Sequence, residues 1–231
     1  MQTQEKEHVV RIQAGSVSLE GTVNLPRDAQ GIVVFAHGSG SSRHSPRNRY
    51  VAGVLRTAGL GTLLFDLLTA EEERQDMRTA HLRFDLDLLA DRLLRATDWI
   101  DGQPYTRDLR VGYFGASTGS AAALMAAAER PQRIYAIVSR GGRPDLAAAV
   151  LPRVQAPTLL IVGGDDAPVI EMNRDALAQL RTEKMLSIIP GATHLFEEPG
   201  ALEEVGRLAR DWFIRHLAHA EHEVRTDEQL S

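Results

Sequence analysis

A serine hydroxyl becomes an effective nucleophile when an imidazole can take its proton and a carboxylate holds that imidazole in place. Three stretches of this 231-residue chain offer such groups: GASTG around Ser117, DDAPV with Asp165 and Asp166, and PGATHLFEEP with His194. The G-x-S-x-G spacing suits a sharp strand-to-helix turn that exposes the serine. Flanking glycines remove side chains that would collide there. Each stretch also has an ordinary reading. Ser117 could simply cap a helix, the aspartate pair could cap the next one, and a loop histidine is usually a surface residue. Order favours chemistry: serine, then acid, then histidine, each after its own apolar run, is the chain order of one triad architecture.

A fourth stretch, FAHGSGSSRHS, follows the earliest fully apolar run. It matches neither G-x-x-x-x-G-K-[ST] nor G-x-G-x-x-G, so a phosphate cradle is disfavoured. Its better use is to supply a second backbone N–H, from Ser39, to an oxyanion hole whose first donor is the N–H of Thr118. His37 then holds the loop in shape. Arg140, with Arg143 nearby, falls after a strand on the same rim as Ser117. Its guanidinium fork could take a substrate carboxylate, or it could pair with Asp66 and brace the loops. Arg43, His44 and Asn48 add a polar rim, with Arg43 and His44 as further substrate contacts.

These groups need a frame. HVVRIQAG and VSLEGTVNL alternate polar and apolar residues as an antiparallel hairpin would. Gly31 to Ala36, GTLLFDLL, the run into GASTG, RIYAIVS, PTLLIVGG and KMLSIIP read as further strands. Helices are expected from Ser45-Pro46 to Gly59, from Asp85 to Ile100, behind Ser117, around Asp145 to Leu151, from Val169 to Leu180 and from Pro199 to Leu217. Thr69 to Phe84 is charged and irregular, and reads as a surface loop with one helical turn. Alternating strands and helices imply a mostly parallel sheet covered on both faces, whose ligands bind at the carboxyl ends of the strands. One domain over residues 1–217 and a polar, frayed tail from 218 to 231 are expected. His216, His219 and His222 read as a solvated helix end.

Composition narrows the classes. Net charge is −5, with 43% apolar and 25% charged residues, which disfavours nucleic acid and anionic membrane surfaces as partners. There are no cysteines, so disulfides and thiolate chemistry are excluded. No metal and no cofactor is called for. MQTQEKEHVV is no signal peptide and no apolar run is long enough to span a bilayer, which points to a soluble, cytoplasmic protein. Monomer and homodimer are equally open.

HGSG from His37, GASTG with Ser117, GGDDAPV and GATHLFEEPGALEEV with His194 resemble the α/β-hydrolase family over nearly the whole chain, in its dienelactone-hydrolase-like branch. In that family the acid stands three residues before a valine, so the resemblance selects Asp166 through Val169. It implies an eight-stranded sheet whose second strand is antiparallel to the rest, and a metal-independent two-step acyl transfer. Dienelactone hydrolases proper use a cysteine, absent here, so a lactone substrate is not implied. The connection RGGRPDLAAAV is too short for the large lid of many members, so an open pocket and small, short-chain carboxylic esters are expected. Lactone or amide hydrolysis, acyl transfer to another acceptor, and a non-catalytic binding module are the alternatives. The phrases HGSGSSRHSPRN and VSRGGRPDL also occur in proteins joined to phosphoribosyltransferase-like domains.

Overall fold

Strands that must be buried on both faces carry unbroken apolar runs, and strands at a sheet margin alternate. Both patterns occur in the computed structural model, which describes residues 7–218. β3 (Ile32–Ala36), β4 (Gly61–Phe65), β5 (Val111–Ala116) and β7 (Thr158–Gly163) are buried at every position. β1 (His8–Ala14) and β2 (Val17–Asn24) form a marginal hairpin in which buried and exposed residues alternate. β6 (Ile134–Arg140) and β8 (Lys184–Ile189) complete one sheet in the order β1-β2-β4-β3-β5-β6-β7-β8. β2 runs antiparallel to both its neighbours, and the remaining pairings are parallel. The eight-stranded sheet with an antiparallel second strand is therefore as expected.

The strand order reverses beside β3, which pairs with β4 on one side and β5 on the other. Loops leaving β3 and β5 consequently part above the sheet, and such a switch point opens a crevice. α1 (Pro46–Thr57) and α6 (Ala201–Leu217) cover one face, over Phe35, Phe114 and Val138. α3 (Leu86–Gly102) and α4 (Thr118–Glu129) cover the other, over Val34, Tyr113 and Ile137. α5 (Ala167–Gln179) packs beside β7 and β8, starting two residues earlier than expected. All six alanines of α4 are buried, so small side chains let this helix lie close to the sheet.

The segment after β4 differs most from expectation. Thr69 to Phe84 is not a loop but a ten-residue helix, α2 (Ala70–Thr79), followed by a 3₁₀ turn at Leu82–Phe84. A capping box starts it: the Thr69 hydroxyl accepts from Glu72 N–H, and the Glu72 carboxylate accepts from Thr69 N–H at 2.7 Å. The helix around Asp145 is a 3₁₀ stretch, Pro144–Arg153, kinked at Ala147. Among the described residues no helix is long and apolar enough to cross a membrane. The tail from position 219 on, with His219 and His222, lies outside them, as do residues 1–6. His216 stacks on Trp212 with ring centroids 4.7 Å apart.

Candidate active site

Ser117 sits between the last residue of β5 and the first of α4. Its backbone has φ 51° and ψ −123°, a strained conformation for a residue with a Cβ. It stands at the helix N-cap, yet its side chain makes no cap bond, and its hydroxyl has no partner among the described residues. The flanking glycines have separate reasons to be there. A Cβ on Gly119 would lie 2.2 Å from the carbonyl oxygen of Ala36 on β3, and one on Gly115 would lie 2.5 Å from Cα of Ser120.

The β6 end clamps this turn. Ser117 N–H donates to the Arg140 carbonyl at 3.2 Å, and Arg143 N–H donates to the Ser117 carbonyl at 3.2 Å. Gly141, with φ +52°, lies against His194: a Cβ there would be 3.4 Å from the imidazole Cε1. Gly142 has no room for a side chain beside Ser139 and Ser120. The two glycines of RGGRPDL thus let one short loop touch both Ser117 and His194.

His194 Nδ1–H donates to Asp166 Oδ2 at 2.7 Å. The His194 side chain is 40% exposed and that of Asp166 14%. Asp166 occupies the N-cap position of α5 but makes no side-chain cap bond; its carboxylate goes to the histidine instead. Asp165 is exposed, and its N–H donates to Ala192 O at 3.0 Å. Asp166 is therefore the carboxylate brought to His194, and Nε2 of that ring is left for a reacting group.

His37 Nε2 accepts from Leu67 N–H at 3.0 Å, so Nδ1 carries the proton and donates to Gly38 O at 3.0 Å. Burial, opposed by the Gly38 bond and nearby acids, holds its pKa below the ordinary histidine value. It ties the β3 loop to the β4 end. The Ser39 amide, expected to face an oxyanion, donates to the Thr118 hydroxyl at 3.1 Å. Thr118, Leu67, Leu68 and Leu89 line a cleft behind this loop.

Other expected contacts are placed elsewhere. Arg43 is committed to Asp66, through its N–H at 2.7 Å and its guanidinium, and to Glu20 at 2.7 Å. His44 lines a separate depression with Glu7, Thr22 and Arg49, which includes none of Ser117, Asp166 or His194. Asn48 is buried inside α1, where its N–H meets the Ser45 cap. With Asp66 taken by Arg43, the expected Arg140–Asp66 brace does not form. Arg143 forks onto Asp145 at 2.9 and 2.8 Å. One group that sequence reasoning missed is buried Asp76, which accepts from Leu82 N–H, Arg83 N–H and Arg83 Nε at 2.7, 3.1 and 2.5 Å. It lines the same cleft as Thr118.

Residues 19–217 match the dienelactone hydrolase family. A dienelactone hydrolase from Anabaena variabilis superimposes with a TM-score of 0.92 at 64% identity, over 93% of this chain and 100% of that one. Est1E from Butyrivibrio proteoclasticus shares the fold at a TM-score of 0.76 and 15% identity, over 90% of this chain and 98% of that one. A Mycobacterium tuberculosis H37Rv protein, provisionally named a phosphoribosyl transferase, is 58% identical over 212 residues, which is 92% of this chain and 47% of the relative. The chain spans about half the length of the curated relatives it matches. On sheet order and matched length alike, the chain has the α/β-hydrolase fold and belongs to the dienelactone hydrolase family.

Proposed function

We propose that the chain is a serine hydrolase of carboxylic esters, acting through Ser117, His194 and Asp166. The observation that carries this reading is the Ser117 turn: a serine held at positive φ with its hydroxyl unpartnered, clamped by the same β6 loop whose Gly141 lies against the His194 ring, an imidazole already oriented by a carboxylate. Ser117 Oγ attacks the ester carbonyl while His194 Nε2 takes its proton. The imidazolium is stabilised by Asp166 and returns that proton to the leaving alcohol. Water, activated by the same imidazole, then releases the acid from the acyl-enzyme. Negative charge on the tetrahedral oxygen meets the N–H groups of Thr118 and Ser39, the former at the positive end of α4. A hydroxyl group with no bond to surrender is ready for this role, since apo sites often tighten only when substrate arrives.

Small acyl groups fit best. The connection after β6 is a short 3₁₀ stretch rather than a lid; the cleft behind the Ser39 loop, with Leu67, Leu68 and Leu89, reaches Ser39 and Thr118 but is lined by none of Ser117, Asp166 or His194. The name carried by the Mycobacterium tuberculosis relative belongs to a protein about twice as long as the stretch shared, and we read the shared half as its hydrolase half.

The test is covalent labelling with a fluorophosphonate, paired with turnover of p-nitrophenyl acetate, butyrate and octanoate. Labelling at Ser117 and fastest turnover of the short esters are expected. Labelling that persists in Ser117→Ala, or a wild-type protein that neither labels nor turns over any ester, amide or lactone, overturns the reading.

A further inference from the structure

Arg140 closes β6 and is only 8% exposed, yet its Nε and Nη1 atoms are sealed from solvent with no hydrogen-bond partner. Burial first, and then the charge of Arg47, push its pKa down to about 10, which leaves it charged at neutral pH. A buried, unpaired guanidinium is costly, and structural arginines of this kind acquire a carboxylate from the fold. Asp66, the partner expected from the sequence, is held by Arg43, and Glu197 is held by Arg47. Among the described residues none pairs with Arg140.

Its charged neighbour is another cation. Arg47 stands at the second residue of α1, donates Nη1 to Glu197 at 3.1 Å, and has its own Nε buried without a partner. The first turn of α1 holds no acidic residue, so the positive end of the helix is uncompensated by its own sequence. The carboxylate at this helix end, Glu197, is largely exposed and is held by Arg47, which leaves Arg140 beside a second cation and without an anion of its own. On the strand beside it, Arg140 is paired with Ala116, whose side chain has no polar group to meet the guanidinium. The region adjoins the chemistry: the Arg140 carbonyl holds Ser117 N–H, and the next residue lies against the His194 ring.

We propose that Arg140, assisted by Arg47, is a subsite for a carboxylate carried by the substrate. The ligand class is a small ester with a second, ionised carboxyl group, as in the half-ester of a short dicarboxylic acid. A carboxylate suits the planar fork of the guanidinium, and its single charge matches the one positive charge left by two arginines and Glu197. A phosphate dianion would exceed that charge. The assignment rests on the serine-esterase reading for its place in catalysis, but the subsite itself can be tested without turnover.

The experiment is titration calorimetry on Ser117→Ala protein at fixed ionic strength, with monomethyl succinate, dimethyl succinate, acetate and phosphate as separate ligands. The monomethyl ester is expected to bind at least tenfold more tightly than the dimethyl ester. Adding Arg140→Gln should bring the two esters level, and Arg47→Gln should weaken the monoester a few-fold. Equal binding of both esters, or a preference that survives Arg140→Gln, overturns the proposal. So does acetate or phosphate binding as tightly as the monoester, which marks a site for any ion. If Arg140→Gln fails to fold by circular dichroism, Arg47→Gln decides, and an unchanged preference there overturns the proposal as well. A chain that binds the half-ester in this way yet hydrolyses no ester would refute the esterase reading and leave the subsite standing.

Discussion

The Ser39 amide donates to the Thr118 hydroxyl at 3.1 Å, so one residue of the proposed oxyanion hole occupies the donor of the other. The bond directions follow from chemistry. Ser39 Oγ lies 3.4 Å from the Arg83 carbonyl, which can only accept, and 3.0 Å from Thr118 Oγ1. Thr118 therefore donates to Ser39 Oγ and accepts from Ser39 N–H. An oxyanion must take that amide over from the threonine.

Thr118→Val keeps the shape and removes the acceptor. The Ser39 amide is then unsatisfied until a substrate oxygen arrives, so kcat/KM for a small ester should rise about threefold or more. Stability should fall by about 1 kcal/mol, measured by urea unfolding. A drop in kcat/KM would mean that the threonine hydroxyl itself donates to the transition state.

Ser117→Ala and His194→Ala should each lower kcat by about 10⁵-fold or more, and Asp166→Asn by about ten to a hundred times less. Because Asp166 makes no cap bond to α5, Asp166→Asn should shift unfolding free energy by no more than about 0.5 kcal/mol. Steady-state rates and denaturant curves on the same preparations separate the two effects.

Gly119→Ala drives a methyl group into the Ala36 carbonyl and should destabilise the fold by more than about 3 kcal/mol. Gly102→Ala, where a Cβ meets nothing within 4 Å, should be neutral or slightly stabilising. Thermal melts of the pair make the comparison, and a well-folded Gly119→Ala protein would contradict the close approach of β3 to α4.

His37 is buried neutral, with a pKa held below 6.5 by desolvation. The unfolded chain takes up the proton first on acidification. The stability that this ring contributes is whole above about pH 6.5 and is lost as pH falls through its folded value. Unfolding free energy should decline from about pH 6.5 downward, and His37→Gln should flatten most of that slope. The remainder belongs to His216, shifted in the same direction by partial burial.

Burial pushes the pKa of Asp76 up, but hydrogen bonds from Arg83 and Leu82 outweigh it and hold the carboxyl below its usual range. Asp76→Ala strands Arg83 and should cost about 3 kcal/mol locally. Hydrogen exchange should accelerate over residues 70–84 while β5 and α4 stay protected. Uniform acceleration across the chain would place Asp76 in the global core instead.

The strands were legible because burial on two faces imposes unbroken apolar runs, as at Ile32–Ala36 and Thr158–Gly163. Ser117, Asp166 and His194 could be proposed together because each follows such a run, and of the three pairings the structure shows the bond from His194 to Asp166. α2 was not, because the helix buries only Asp76 and has no apolar stripe to reveal a period. Its one written signal, Thr69 followed by Glu72, is a capping box that is easily lost in a charged stretch. The turn of Ser39 toward Thr118 had no written signal. A G-S-G loop allows several amide directions, and the choice depends on a hydroxyl 79 residues away. Arg43 was misread for a related reason: residue type marks a guanidinium as able to bind a ligand, but only the fold shows that Asp66 and Glu20 already hold it.

The bond from Ser117 to Arg140 is made by main-chain atoms alone, so it is indifferent to which side chain position 140 carries. Ser117 can keep its place while the side chain at position 140 changes. If position 140 sets selectivity as proposed, it is free to drift by single substitutions without the Ser117 turn having to be rebuilt.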